Sequence, residues 1–172
     1  DYCVLSNDDD FLLPSSLFNC VDFLDNNPDY SSSHGLYFNH TGYENSVKNG
    51  YKIYPLYEGG KSISDNKAID RLKRYMNGES RYYPFYAVHK TKDFKKIWKN
   101  TNYNVNDWGL SEIFPCCMSL ILGKMKVLPI FYYSREINTL GFSKEWWAPL
   151  FNDSEAYKAS KALANFLIQN EN

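Results

Sequence analysis

The sequence predicts an α/β domain in which short strands alternate with amphipathic helices. An apolar run, Tyr2-Cys3-Val4-Leu5, leads into Asn7-Asp8-Asp9-Asp10 and then into a helix start at Pro14. Runs rich in Val, Ile and aromatic residues alternate thereafter with apolar residues at helical spacing. The chain of 172 residues is long enough for one domain with a real core, and no repeat, linker or low-complexity segment divides it.

Taken in order, Tyr2 to Ser6 is a strand, and the acidic run marks where it leaves the sheet. Pro14 suits the first turn of a helix, where its missing N–H has no intrahelical partner. Leu17, Val21 and Leu24 form the inner face of that helix, with Phe18 and Cys20 beside it, and Asn26-Asn27-Pro28 ends it. Tyr30 to Phe38 is a strand in which Gly35 marks a bulge or lets a ligand approach the backbone. His34 beside it reads first as a satisfied structural histidine and second as an acceptor-site residue. A loop, Asn39 to Asn49, precedes an edge strand over Tyr51 to Tyr57, demoted by Pro55. Ser64 caps a helix reaching Met76, with Ile69, Leu72 and Tyr75 inward and Lys67, Asp70, Arg71, Lys73 and Arg74 on a solvated face. Tyr82 to His89 reads as a strand, and Thr91 caps a helix over Lys92 to Lys99. Pro115 places the start of the next helix between Leu110 and Phe114, and Gly123 closes it. Lys124 to Tyr133 is a strand, and a last helix begins at Ser154.

Charge excludes some partners. With 19 basic and 20 acidic side chains, nothing suggests a nucleic-acid or polybasic membrane surface. No apolar run has the length of a membrane span, and no signal-peptide pattern is present. Aromatic residues make up 17% of the chain with Tyr dominant, a composition that suits stacking on sugar CH faces as well as an aromatic core. Cys3, Cys20, Cys116 and Cys117 lack metal-ligand spacing and read as free thiols of a reducing, cytoplasmic setting.

The chemistry concentrates in the acidic run. Three adjacent carboxylates repel one another unless a cation or solvent relieves them, although Asp is also an ordinary turn and cap residue. The segment Tyr2 to Leu17, with Asp8-Asp9-Asp10 followed by Leu13-Pro14-x-x-Leu17, resembles the metal-binding DxD segment of GT-A glycosyltransferases, family 2 and its relatives. The resemblance implies a three-layer α/β/α fold with a mixed sheet and hexosyl transfer from a nucleotide-diphosphate sugar to a hydroxyl of a glycan or other acceptor. Mg²⁺ or Mn²⁺ would be ligated by Asp9 and supported by Asp10, with Asp8 toward the donor ribose. In such enzymes the half that holds the nucleotide base precedes the acidic triplet. Residues 1–172 would then be the second half of the domain, inactive alone, with a Tyr2 to Ser6 edge open to self-association.

Ser111-Glu112, followed by a helix and by Gly123 to Pro129, resembles the acidic helix start that supplies the catalytic base in these enzymes, with Asp107 as second candidate. A base opposite the leaving group implies inversion. Trp108, Trp146 and Trp147 are candidates for an acceptor platform. The chain departs from the pattern in having no histidine after His89, Asn7 in place of an acid, and no Glu-Asp pair at the base. The alternatives are a non-catalytic carbohydrate-binding or protein-interaction domain, and a metal-dependent phosphotransfer enzyme, which would need a phosphate cradle that Gly59-Gly60 does not supply.

Overall fold

The computed structural model describes residues 1–8, 10–41, 53–55, 60–80, 83–107, 109–137 and 153–170. It is a mixed α/β fold. Among the described residues six strands form one sheet: β1 (Tyr2–Cys3), β2 (Phe11–Leu12), β3 (Tyr30–Thr41), β4 (Ile53–Pro55), β5 (Val88–Lys90) and β6 (Lys124–Ile137). Their order is β1-β5-β3-β6-β2, with β4 on the edge of β3 beyond β5. The long pair β3 and β6 is parallel and central, while the other pairings are antiparallel. The helices are α1 (Pro14–Asn26), α2 (Ala68–Met76), α3 (Thr91–Asn104), α4 (Leu110–Leu122) and α5 (Asp153–Asn170).

Side-chain alternation along β6 shows how the layers form. Met125 and Val127 join the core that α4 and α2 build with Cys116, Cys117, Leu120 and Tyr75. Lys126, between them, turns to the opposite face, where its Nζ lies 5.7 Å over the Phe23 ring of α1. α1 covers that face through Cys20 and Leu24, which pack with Tyr37, Tyr132 and Tyr133. Leu17 and Val21 flank this contact and Phe18 points outward, so the inner stripe of α1 centres on Cys20. α4 is buried along most of its length and meets α3 and α5 through Phe114, Met118, Ile97 and Phe166.

Gly35 is the bulge residue. The β3–β6 register shifts between His34 and Leu36, and a Cβ at Gly35 would stand 2.5 Å from the Ile130 carbonyl oxygen and 2.7 Å from Tyr132 Cβ. The close neighbour is strand β6 itself. Gly35→Ala forces the two central strands apart and is expected to cost about 1–3 kcal/mol, the scale of overpacking, as a fall in the urea midpoint.

Four expected elements differ. Strand pairing at the N-terminus covers Tyr2–Cys3 and does not reach Ser6. Tyr82 to His89 is not one strand: Tyr83–Tyr86 forms a 3₁₀ turn and only Val88–Lys90 pairs. Pro84 cannot donate to a ladder, and side chains take the turn's carbonyls, His89 Nε2 meeting Pro84 O at 2.8 Å and Tyr132 Oη donating to Tyr86 O at 2.7 Å. Ser64 does not cap α2, which begins at Ala68, because Ile63 is held to Met125 by two backbone hydrogen bonds of 3.0 and 2.8 Å. Arg71 is buried rather than solvated, at 6% exposure. Elsewhere, Pro115 sits in the second turn of α4, beyond the first turn to which proline is best suited.

Candidate functional site

The acidic turn lies beside the carboxyl end of the parallel pair, where open α/β sheets place their ligands. β2 follows it directly and pairs Phe11 with Ser134 and Leu12 with Tyr133, so Asp10 is carried to the end of β6. Tyr133 and Arg135, two residues apart, both reach it. Tyr86 arrives from the 3₁₀ turn and Asn7 from the segment after β1.

These side chains hold Asp10 asymmetrically. Its Oδ2 accepts hydrogen bonds from Tyr133 Oη at 2.7 Å, Asn7 Nδ2 at 3.0 Å and Arg135 Nε at 3.4 Å. Its Oδ1 is buried with no hydrogen-bond partner among the described residues, and the side chain is only 1% exposed. A buried carboxylate oxygen without a donor is costly, and native structures rarely leave one that way unless a water, a ligand or an ion serves it. Arg135 continues to Tyr86, donating Nη2 to its hydroxyl at 3.2 Å and lying 5.4 Å over its ring. The Tyr86 hydroxyl in turn donates to Asn7 Oδ1 at 3.4 Å.

Glu112 stands in the first turn of α4, partly buried. Burial raises its proton affinity above the ordinary glutamate value, and the charge of Arg135 opposes that shift. The same glutamate acts electrostatically on Tyr86. Arg135 is thus the electrostatic link between the acidic turn and the start of α4. Replacing it by Gln is expected to move the Glu112 titration further up, readable as a shift of its carboxyl resonance in a pH series.

Asp107 is occupied differently. Its Oδ1 accepts the Leu110 backbone N–H at 2.9 Å and its carbonyl accepts that of Ser111 at 3.0 Å, the work of a helix cap. Asp8 is exposed on the turn. Asp9, Trp108, Trp146 and Trp147 lie outside the described residues, so the structure places neither the expected chief metal ligand nor the acceptor platform. His34 is fully buried, with Nδ1 2.7 Å from Gly35 O, and burial lowers its pKa to about 4, as a core histidine. Among the described residues no group of three His, Cys, Asp or Glu side chains is arranged to hold a metal.

Sequence reasoning missed Tyr86, Tyr133 and Arg135. They carry no motif, and the polar run Ser134-Arg135-Glu136 after an apolar strand is the one local signal there. A cavity of about 780 Å³ lies at the opposite end of α4, lined in part by Lys67, Arg71, Ile121 and Lys124. The convergent carboxylates mark the chemistry better than that volume does, because Arg71 there already commits its donors to backbone carbonyls. No helix among the described residues is long and apolar enough to cross a membrane. No protein-family model matches this sequence, and no curated protein matches it.

Proposed function

We propose that this protein transfers a sugar from a nucleotide-diphosphate donor to a hydroxyl acceptor on a GT-A-like fold, with metal assistance at the Asp8-Asp9-Asp10 turn. The observation that carries the reading is the buried Oδ1 of Asp10, which has no hydrogen-bond partner among the described residues. A hard carboxylate oxygen of this kind fits Mg²⁺ or Mn²⁺, with Asp10 and Asp9 as the residues that would hold the ion. When bound, the ion supplies charge neutralisation for the leaving diphosphate.

The other steps belong to the chain's own residues. Glu112 accepts the proton of the acceptor hydroxyl as that oxygen attacks the anomeric carbon, and the bond to the diphosphate breaks on the far side, giving inversion. Partial burial makes Glu112 a stronger base than a solvated glutamate, while the charge of Arg135 opposes that rise. Asp107, already engaged as a cap, serves by holding the start of α4 in place. Asp8, exposed at the turn, is available to the donor ribose.

The test is a panel of nucleotide-diphosphate sugars offered to the full-length protein with Mn²⁺ and simple glycan acceptors, with release of the nucleotide diphosphate as readout. Metal-dependent release that Asp10→Asn abolishes supports the reading. Glycan binding without turnover of any donor favours a carbohydrate-binding domain instead. A full-length protein, residues 1–172 together with the nucleotide-holding half, that neither binds nor turns over any donor contradicts the assignment.

A further inference from the structure

We infer that Tyr133 is a positioning residue for Asp10: with Asn7, it pins Oδ2 and thereby presents Oδ1 to a divalent cation. The inference rests on the reading of Asp10 as a metal-holding carboxylate and adds to it the residues that set the carboxylate's orientation.

A carboxylate held evenly by its neighbours can rotate and exchange its two oxygens. Here all the donors fall on one of them. The shortest of these contacts comes from the Tyr133 hydroxyl, whose direction is settled by a second bond. Its oxygen receives the Asn7 backbone N–H at 3.4 Å, so its single proton is left for Asp10 at 2.7 Å. The ring itself has little room to move: it is 1% exposed and packs at centroid distances of 5.2 Å from Tyr37 and 5.4 Å from Tyr86. Its backbone is in register with Leu12, two residues after Asp10, so the strand that follows the turn is paired to the residue that holds the turn's carboxylate. Asn7 approaches the same oxygen from the other end of the turn. Outer hydrogen-bond partners of this kind orient metal ligands, and their loss commonly weakens metal affinity by about 10–100-fold.

The experiment titrates the intact chain with Mn²⁺ alone, following free Mn²⁺ by electron paramagnetic resonance, in wild type, Asp10→Asn, Tyr133→Phe and Asn7→Ala. Thermal unfolding of each is recorded alongside. Tyr133→Phe keeps the ring and removes only the hydroxyl, and is expected to weaken Mn²⁺ binding by about 10–100-fold. Asn7→Ala, an exposed position, is expected to weaken it in the same direction and decides the matter should Tyr133→Phe fail to fold. If Asp10→Asn loses Mn²⁺ while both Tyr133→Phe and Asn7→Ala bind it as wild type does, the positioning role is overturned and Asp10's own role stands. A hydroxyl that serves packing alone would lower the melting temperature and leave Mn²⁺ affinity untouched, with the same consequence. If wild type and Asp10→Asn do not differ toward Mn²⁺, the metal reading of Asp10 fails first, and this inference with it.

Discussion

Glu112→Gln is expected to lower the proposed sugar transfer of the full-length protein by about 10²–10⁴-fold, the usual contribution of a positioned general base. The amide keeps the shape of the side chain and cannot take a proton. Stability should move the other way. Burial raises the Glu112 pKa above its ordinary 4.5, so the folded protein binds that proton more tightly than the unfolded chain does. The associated stability is present below the ordinary value and is lost as pH rises through the raised one. Above the raised value the ionised glutamate is therefore a cost to folding, and there Glu112→Gln should be at least as stable as wild type to urea. Loss of turnover together with unchanged or higher stability identifies a side chain kept for chemistry. Wild type should also show an acidic limb in its rate profile above the ordinary glutamate range, and that limb should vanish in the variant. Near-normal turnover in Glu112→Gln, with loss in Asp107→Asn, would move the base to Asp107.

Arg71→Met should be destabilising, costing about 1–3 kcal/mol for each buried carbonyl left without a donor. Its Nε donates to Leu120 O at 2.6 Å and its Nη2 to Ile121 O at 3.1 Å, which satisfies carbonyls at the end of α4. Its Nη1 donates to the carbonyls of Asp65 and Asn66, each at 2.8 Å. One guanidinium thus ties the approach to α2 to the end of the central helix. Methionine fills the stem volume and leaves those carbonyls without a donor. Lysine restores the charge without the planar fork and should recover only part of the loss. Equilibrium urea melts measure both, and an Arg71→Met midpoint equal to wild type would show that the bonds contribute little.

Much of the frame was legible from local signals. Pro14 marks the start of α1, and it stands there as the first helical residue. The Val, Leu, Ile and aromatic content of Lys124 to Tyr133 marks a strand, and β6 runs through and beyond it. Gly35 was legible as a bulge or a ligand approach, and the β3–β6 register selects the bulge. What escaped is what depends on distant partners. Arg71 sits among Lys67, Asp70, Lys73 and Arg74 in a sequence that reads as a wet helix face, and only the arrival of the α4 end makes burial favourable. Tyr83 to Tyr86 has high strand propensity, yet side chains from β5 and β6 take its carbonyls.

The same division runs through the site. Asp10 and Glu112 stand out in the sequence because a carboxylate at a turn or a helix start has a recognisable local context. Tyr133, Arg135, Tyr86 and Asn7 do not, since each becomes part of the site only by convergence on Asp10 or on its neighbours. Asp107 shows the converse: a plausible base by position, it is engaged by the backbone of the helix it precedes.

If Asp10 Oδ1 is left for a divalent cation used in sugar transfer, Mn²⁺ soaked into crystals of the protein should find it. An anomalous difference map should then hold a peak within coordination distance of Asp10 Oδ1, about 2 Å, as expected for a hard cation of this class on a carboxylate oxygen. Crystals of Asp10→Asn should show no such peak. A map with no anomalous peak near the Asp8-Asp9-Asp10 turn, and with a protein donor hydrogen-bonded to Oδ1, would contradict the assignment.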